Sequence, residues 1–307
     1  MTDPTEMVLT GGFAVALGIF VVSAMVRRVL AGRGSPEPPM ESGAVSEDSP
    51  YQVPAEILMP PPLPPPGRVA VWFYRPLDLL GAGFVFLVFA GLLLGSLSGG
   101  QGEEPVLSPE VLLVNIGFQF VMAGVVTVIV MSRVSLDAWV GLRWRSWPRV
   151  FLIAPAAVFL MWMVFGGLQM SGYVKWMESL GVETVQDTVM LLQKSEDPLV
   201  LGLMAFAAVV AAPLCEEIVF RGYFYPVLKR FAGVWPAALC SALVFASAHG
   251  NLTAMLPLLI FGILLVWIYE KTGSLWAPIA VHFCFNGATV MVQLAARYYE
   301  IPIPPAP

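Results

Sequence analysis

The chain has 307 residues, of which 58% are apolar and only 12% are Asp, Glu, Lys or Arg, with a net charge of -5. A soluble chain averages about 45–50% apolar and about 25% charged residues, so this composition indicates an all-α, multi-pass membrane protein. The negative balance excludes a nucleic-acid partner, which calls for a basic face. The three cysteines show no paired spacing, so neither a disulfide framework nor a thiolate metal site is expected.

A membrane-crossing helix needs about 20 apolar residues. Eight stretches qualify: 8–26, 77–97, 111–131, 150–170, 199–220, 234–249, 253–269 and 275–295. The expected fold is a polytopic helical bundle of about eight transmembrane helices. The sixth and seventh stretches are short and joined by Gly250–Asn251, which reads as a tight helical hairpin. The first stretch follows an acidic leader and precedes Arg27 and Arg28. That is the reverse of a cleavable signal peptide, so it reads as an anchor over 1–31.

Residues 35–67 contain eleven prolines in 33 positions, a composition that favours extended polyproline geometry over a packed core. We read 32–71 as a disordered linker, 72–198 as membrane helices two to four with an outer loop, and 199–297 as the functional core. Part of the outer loop, 183–198, is expected to form a surface helix. With the first residue outside, the cytoplasmic segments hold twelve Lys and Arg against three outside. The positive-inside rule then places both termini outside the cell membrane.

The chemistry gathers in the last third. "LCEEIVFRG" at Leu214–Gly222 follows fifteen uncharged residues, and the chain's two histidines, His249 and His282, also fall in apolar stretches. Ionisable residues inside a membrane face the bundle interior or a wet cavity and mark functional sites by default. Glu217 and Arg221 are four apart and share a helix face, as do Phe245 and His249, and His282 and Asn286. Glu216 sits about 100° round the helix from Glu217, free to face another group. Pro213 strands the carbonyl of Val209 and Pro278 that of Ser274, four residues back in each case. Cys215, Cys240 and Cys284 read as packing residues.

Glu216-Glu217-Ile-Val-Phe-Arg221, Phe245-Ala-Ser-Ala-His249 and His282-Phe-Cys-Phe-Asn286, in this order on three successive helices, resemble the type II CAAX prenyl endopeptidases of the CPBP family of intramembrane proteases. The resemblance covers about 199–295. It implies an endopeptidase acting on a membrane-embedded or lipidated protein or peptide, including a prenylated CAAX tail, at the lipid bilayer. By the family's pattern Glu216 is the general base assisted by His249, His282 and Asn286 stabilise the oxyanion, and Glu217, Arg221 and Phe245 support the site. Cofactor use stays open between none and Zn2+, with Glu216, His249 and His282 as the candidate metal ligands. Two other readings remain: a proton-coupled transporter, since buried Glu and His residues also build proton relays, and a non-catalytic immunity or scaffold member of the family.

Overall fold

The computed structural model describes residues 4–32, 69–98, 108–141, 144–182 and 195–299. Residues 33–68 of the expected linker and most of the expected surface helix over 183–198 lie outside these residues; the end of the expected linker, Val69–Val71, is described, and Val69 is buried. Every described regular element is helical, the form that satisfies its own backbone polar groups in hydrocarbon.

The long helices are α1 (Pro4–Gly32), α2 (Asp78–Ser98), α3 (Pro109–Met131), α5 (Val150–Met170), α7 (198–232), α9 (Leu252–Thr272) and α10 (Trp276–Tyr298). Short helices α4 (Leu136–Val140) and α6 (Tyr173–Ser179) lie in the connections, and α8 (Val234–Ala248) sits between α7 and α9. Seven helices among the described residues are long and apolar enough to cross a membrane; α8 has 15 residues and is not among them. At 1.5 Å per residue α8 spans about 22 Å, short of the roughly 30 Å hydrocarbon core. It is the eighth apolar helix of the bundle, with Ala237, Ala242, Val244 and Ala246 fully buried on its packed side and Val234 and Trp235 exposed in its first turn. Around it α1, α2, α7 and α9 make contact. Their outer faces carry exposed apolar side chains such as Val22, Leu87 and Trp267.

The ends follow local rules. Asp197 caps α7 by accepting from the Leu199 amide at 2.8 Å, with Pro198 in the first turn, where its missing N–H costs nothing. Asn251 caps α9 through the Ala254 amide at 2.8 Å. Gly250, at φ +68°, makes the reversal between α8 and α9, so the hairpin expected there is present. Several boundaries differ from expectation: α1 runs Pro4–Gly32 rather than 8–26, and α7 and α9 are longer as well. Helix α7 continues twelve residues past Phe220 to Ala232, because Arg221 is paired internally and does not end the apolar run. Helix α9 is a full 21 residues rather than a short one.

Near two of the prolines inside the helices, Pro226 and Pro257, freed carbonyls are matched by donors from elsewhere. A proline removes one N–H and frees the carbonyl four residues back. In α7 the Gly222 carbonyl, inside the wide turn that precedes Pro226, accepts from the Tyr74 hydroxyl at 2.5 Å and from Trp139 Nε1 at 3.0 Å. Opposite Pro257 in α9 the freed carbonyl is that of Thr253, which accepts from the Tyr173 hydroxyl at 3.1 Å. Tyr74 lies in the irregular segment leading into α2, and its burial pushes its phenol well above the ordinary range, which keeps it a hydrogen-bond donor. The same segment is held by Lys229 Nζ on the Val69 carbonyl at 2.9 Å. Asp78, at the start of α2, pairs with Arg133 at 2.5 Å. The Lys229–Glu270 pair joins α7 to α9.

Candidate functional site

Helix α7 is not uniform. Two wide turns, Ala207–Ala211 and Glu217–Phe224, carry five-residue hydrogen-bond spacing, a feature that recurs at functional sites. The first wide turn corrects the expectation for Pro213. The Ala212 amide donates to the Ala207 carbonyl, five residues back. In that register the carbonyl facing Pro213 is that of Ala208, not Val209. Asn286 Nδ2 donates to the Ala208 carbonyl at 2.8 Å, which ties α10 to α7. Pro278 opens nothing: it sits in the first turn of α10, and the Ser274 carbonyl accepts from the Ala277 amide at 3.2 Å.

The two glutamates are in different surroundings. Glu217 and Arg221 are both fully buried and paired at 2.8 Å. The same oxygen, Glu217 Oε1, also meets His282 Nδ1 at 2.9 Å. A ring nitrogen facing a carboxylate carries the proton, so His282 presents its Nε2 to the other side. There Glu216 Oε2 stands 3.9 Å away, too far for a direct hydrogen bond. The Glu216 side chain is 21% exposed, and its Oε2 has no hydrogen-bond partner among the described residues. Glu217 thus holds two neighbours while Glu216 is uncommitted.

Arg221 is held on three sides. Besides Glu217, its Nη2 donates to the Gly262 carbonyl at 3.2 Å, and its guanidinium lies 4.6 Å from the centre of the Phe245 ring. A cation over an aromatic face gains roughly 2 kcal/mol or more when desolvated. Gly262 is required by the approach of α9: a Cβ there would stand 2.9 Å from Ala242 Cβ and 3.4 Å from Arg221 Nη2. Sequence reasoning missed Gly262, which is one glycine inside an apolar helix and carries no motif. It also missed Phe261, whose ring meets His282 edge-on at 5.2 Å.

Phe245 is the hub. Its ring contacts His249 at 4.7 Å and His282 at 6.0 Å, both T-shaped. The His249 Nδ1 is 2.8 Å from the Phe245 carbonyl; facing an acceptor it carries the proton, and Nε2 is left as the acceptor. His249 closes the end of α8 and is exposed, whereas His282 is buried. The structure therefore joins Glu216, Glu217, Arg221, Phe245, His249 and His282 in one cluster, with Asn286 one turn along α10 from His282 and bonded to the Ala208 carbonyl. It sorts them into a buried frame of Glu217, Arg221 and His282 and a reachable side of Glu216, His249 and Asn286.

The metal-ligand set does not assemble. Among the described residues no three His, Cys, Asp or Glu side chains are grouped so as to hold an ion. Glu216, His249 and His282 do not fit a three-ligand zinc site in this arrangement. Cys215, Cys240 and Cys284 are free thiols.

Residues 198–288 match the family model described as type II CAAX prenyl endopeptidase Rce1-like. Over that stretch the chain is similar to the CPBP family of membrane proteases. That stretch begins at the first residue of α7 and covers every residue of the cluster. Among curated proteins it is similar to "Putative membrane peptidase YdiL" of Bacillus subtilis (strain 168), with 29% identity over 92 residues. That match takes in 30% of this chain and 38% of the relative. No solved structure matches the chain. The matched segment belongs to a multi-pass helical membrane protein, and the helices before α7 fall outside the family match.

Proposed function

We propose that the protein is an intramembrane endopeptidase that hydrolyses a peptide bond of a membrane-embedded or lipidated protein through a water activated by Glu216. The observation that carries this reading is the division between the glutamates. Glu217 Oε1 is shared by Arg221 and His282, at 2.8 and 2.9 Å, while the Glu216 side chain is 21% exposed and its buried Oε2 has no hydrogen-bond partner among the described residues. A general base has to be free of other partners and within reach of the proton it removes.

In this scheme Glu216 takes a proton from water as the oxygen adds to the scissile carbonyl. The charge that develops on the carbonyl oxygen is met by His282 Nε2 and by the Asn286 N–H not given to Ala208, since donors aimed at a developing oxyanion lower the barrier. This role requires a hydrogen on His282 Nε2 as well as the one on Nδ1 that faces Glu217. The C–N bond then breaks, and the amine leaves with a proton returned from Glu216 or passed through His249. A prenylated CAAX tail is the substrate suggested by the family; a membrane-anchored peptide of other origin meets the same chemistry. The protein would lie in the cell membrane with both termini outside.

Reconstituted in liposomes, the protein should cleave a membrane peptide and carry no proton flux. Flux without cleavage would support the transporter reading. Purified protein should contain far less than one zinc per chain, and chelators should leave cleavage intact. Stoichiometric zinc whose removal abolishes cleavage would replace this scheme with a zinc-water one. For orientation, protease added to intact cells should spare the proline-rich segment 35–67, and cleavage there from outside would invert the topology.

A further inference from the structure

Away from the cluster, a groove of about 330 Å³ runs between α1, α8 and α9, lined by Ile19, Trp235, Pro236, Ala238, Leu239 and Ile263. All six are apolar. Trp235 is 74% exposed and Leu239 37%, so the groove opens on the outer surface of the bundle, where lipid tails lie. We infer that it is a binding site for one anionic phospholipid, with an acyl chain in the groove and the phosphate at Arg27.

The charge at its rim selects the headgroup. Arg27 reaches from α1 over the turn at Gly233, the residue before α8. Its Nη1 donates to the Lys229 carbonyl at 3.4 Å and would stand 3.3 Å from a Cβ on Gly233. Trp235 and Pro236, which form one end of the groove, follow within three residues. The Arg27 side chain is exposed, and so is that of Arg28. Among the described residues no acidic side chain pairs with either. The carboxylate packed beside this turn, Glu270, is already taken by Lys229 and Tyr225. A guanidinium beside an apolar groove has a hydrocarbon complement for the groove and needs an anion for itself. A phosphodiester on an acyl chain supplies both. The positive-inside assignment puts this end at the cytoplasmic leaflet, whose surface carries anionic lipid. The site is separate from the glutamate–histidine cluster and does not depend on the proteolytic reading.

The test uses purified full-length protein in detergent, with phosphatidylglycerol and phosphatidylcholine of identical chains measured by native mass spectrometry and by thermal stability. Wild type should hold one phosphatidylglycerol about five-fold more tightly than phosphatidylcholine, the factor that corresponds to one basic side chain at an anionic lipid surface. Arg27→Gln should remove the preference and leave the residual binding. Trp235→Ala, at an exposed position that leaves the core intact, should weaken retention of both lipids. Equal binding of the two lipids by wild type, or an undiminished preference in Arg27→Gln, would overturn the proposal. So would retention of a long-chain isoprenoid alcohol with no phosphatidylglycerol bound, since that outcome makes the groove a seat for a prenyl group.

Discussion

Glu217→Ala should be among the most destabilising single substitutions in the chain, costing roughly 3–5 kcal/mol, as expected when one member of a buried ion pair is removed. Glu217 and Arg221 are both fully buried at 2.8 Å. Loss of the carboxylate leaves the guanidinium with only the Gly262 carbonyl and two aromatic rings, Phe220 and Phe245. The His282 Nδ1 proton loses its acceptor at the same time. Replacing Arg221 as well, in Glu217→Ala/Arg221→Met, should recover part of the loss, because no unpaired charge remains in the interior. Melting curves in detergent measure this. A double variant no more stable than Glu217→Ala would show that the ion pair does not set the cost.

Glu216→Gln should have the opposite profile. The side chain keeps its shape and part of its hydrogen bonding, and it is 21% exposed with an unengaged Oε2, so the melting curve should stay near that of wild type. Cleavage should fall by about 10²–10⁴-fold, the range general-base catalysis contributes. An active Glu216→Gln would move the base elsewhere. A strongly destabilised one would make Glu216 part of the frame.

Much of the bundle was legible because hydrophobic runs of span length are a strong signal. Helix α5 runs over the residues expected for it, and the reversal at Gly250–Asn251 lies where expected. Helix α8 lies where the sixth stretch was expected, but many of its residues are buried, and composition does not tell how much of a short apolar helix faces its neighbours. Four-residue spacing placed Glu217 beside Arg221 and Phe245 beside His249. It did not place His282 on Glu217, since that contact joins α10 to α7 across 65 residues. Residue counts do not fix depth either. Counting from the helix starts puts His249 about 20 Å and His282 about 10 Å along their axes, yet both rings touch Phe245, because residue counts carry no information on tilt or offset. The Pro213 reading failed by one residue because it assumed regular α-helical spacing through a wide turn. The proline-matched donors Tyr74, Trp139 and Tyr173 carry no sequence signal that links them to Gly222 or Thr253.

The central claim is that this cluster breaks peptide bonds and that Glu216 is the residue that does it. The direct measurement is a comparison of protein termini in membranes carrying wild type or Glu216→Gln at matched abundance. We predict a set of new termini within or beside membrane segments that is present with wild type and absent with Glu216→Gln. Identical termini in the two membranes, with both proteins folded, would contradict the account.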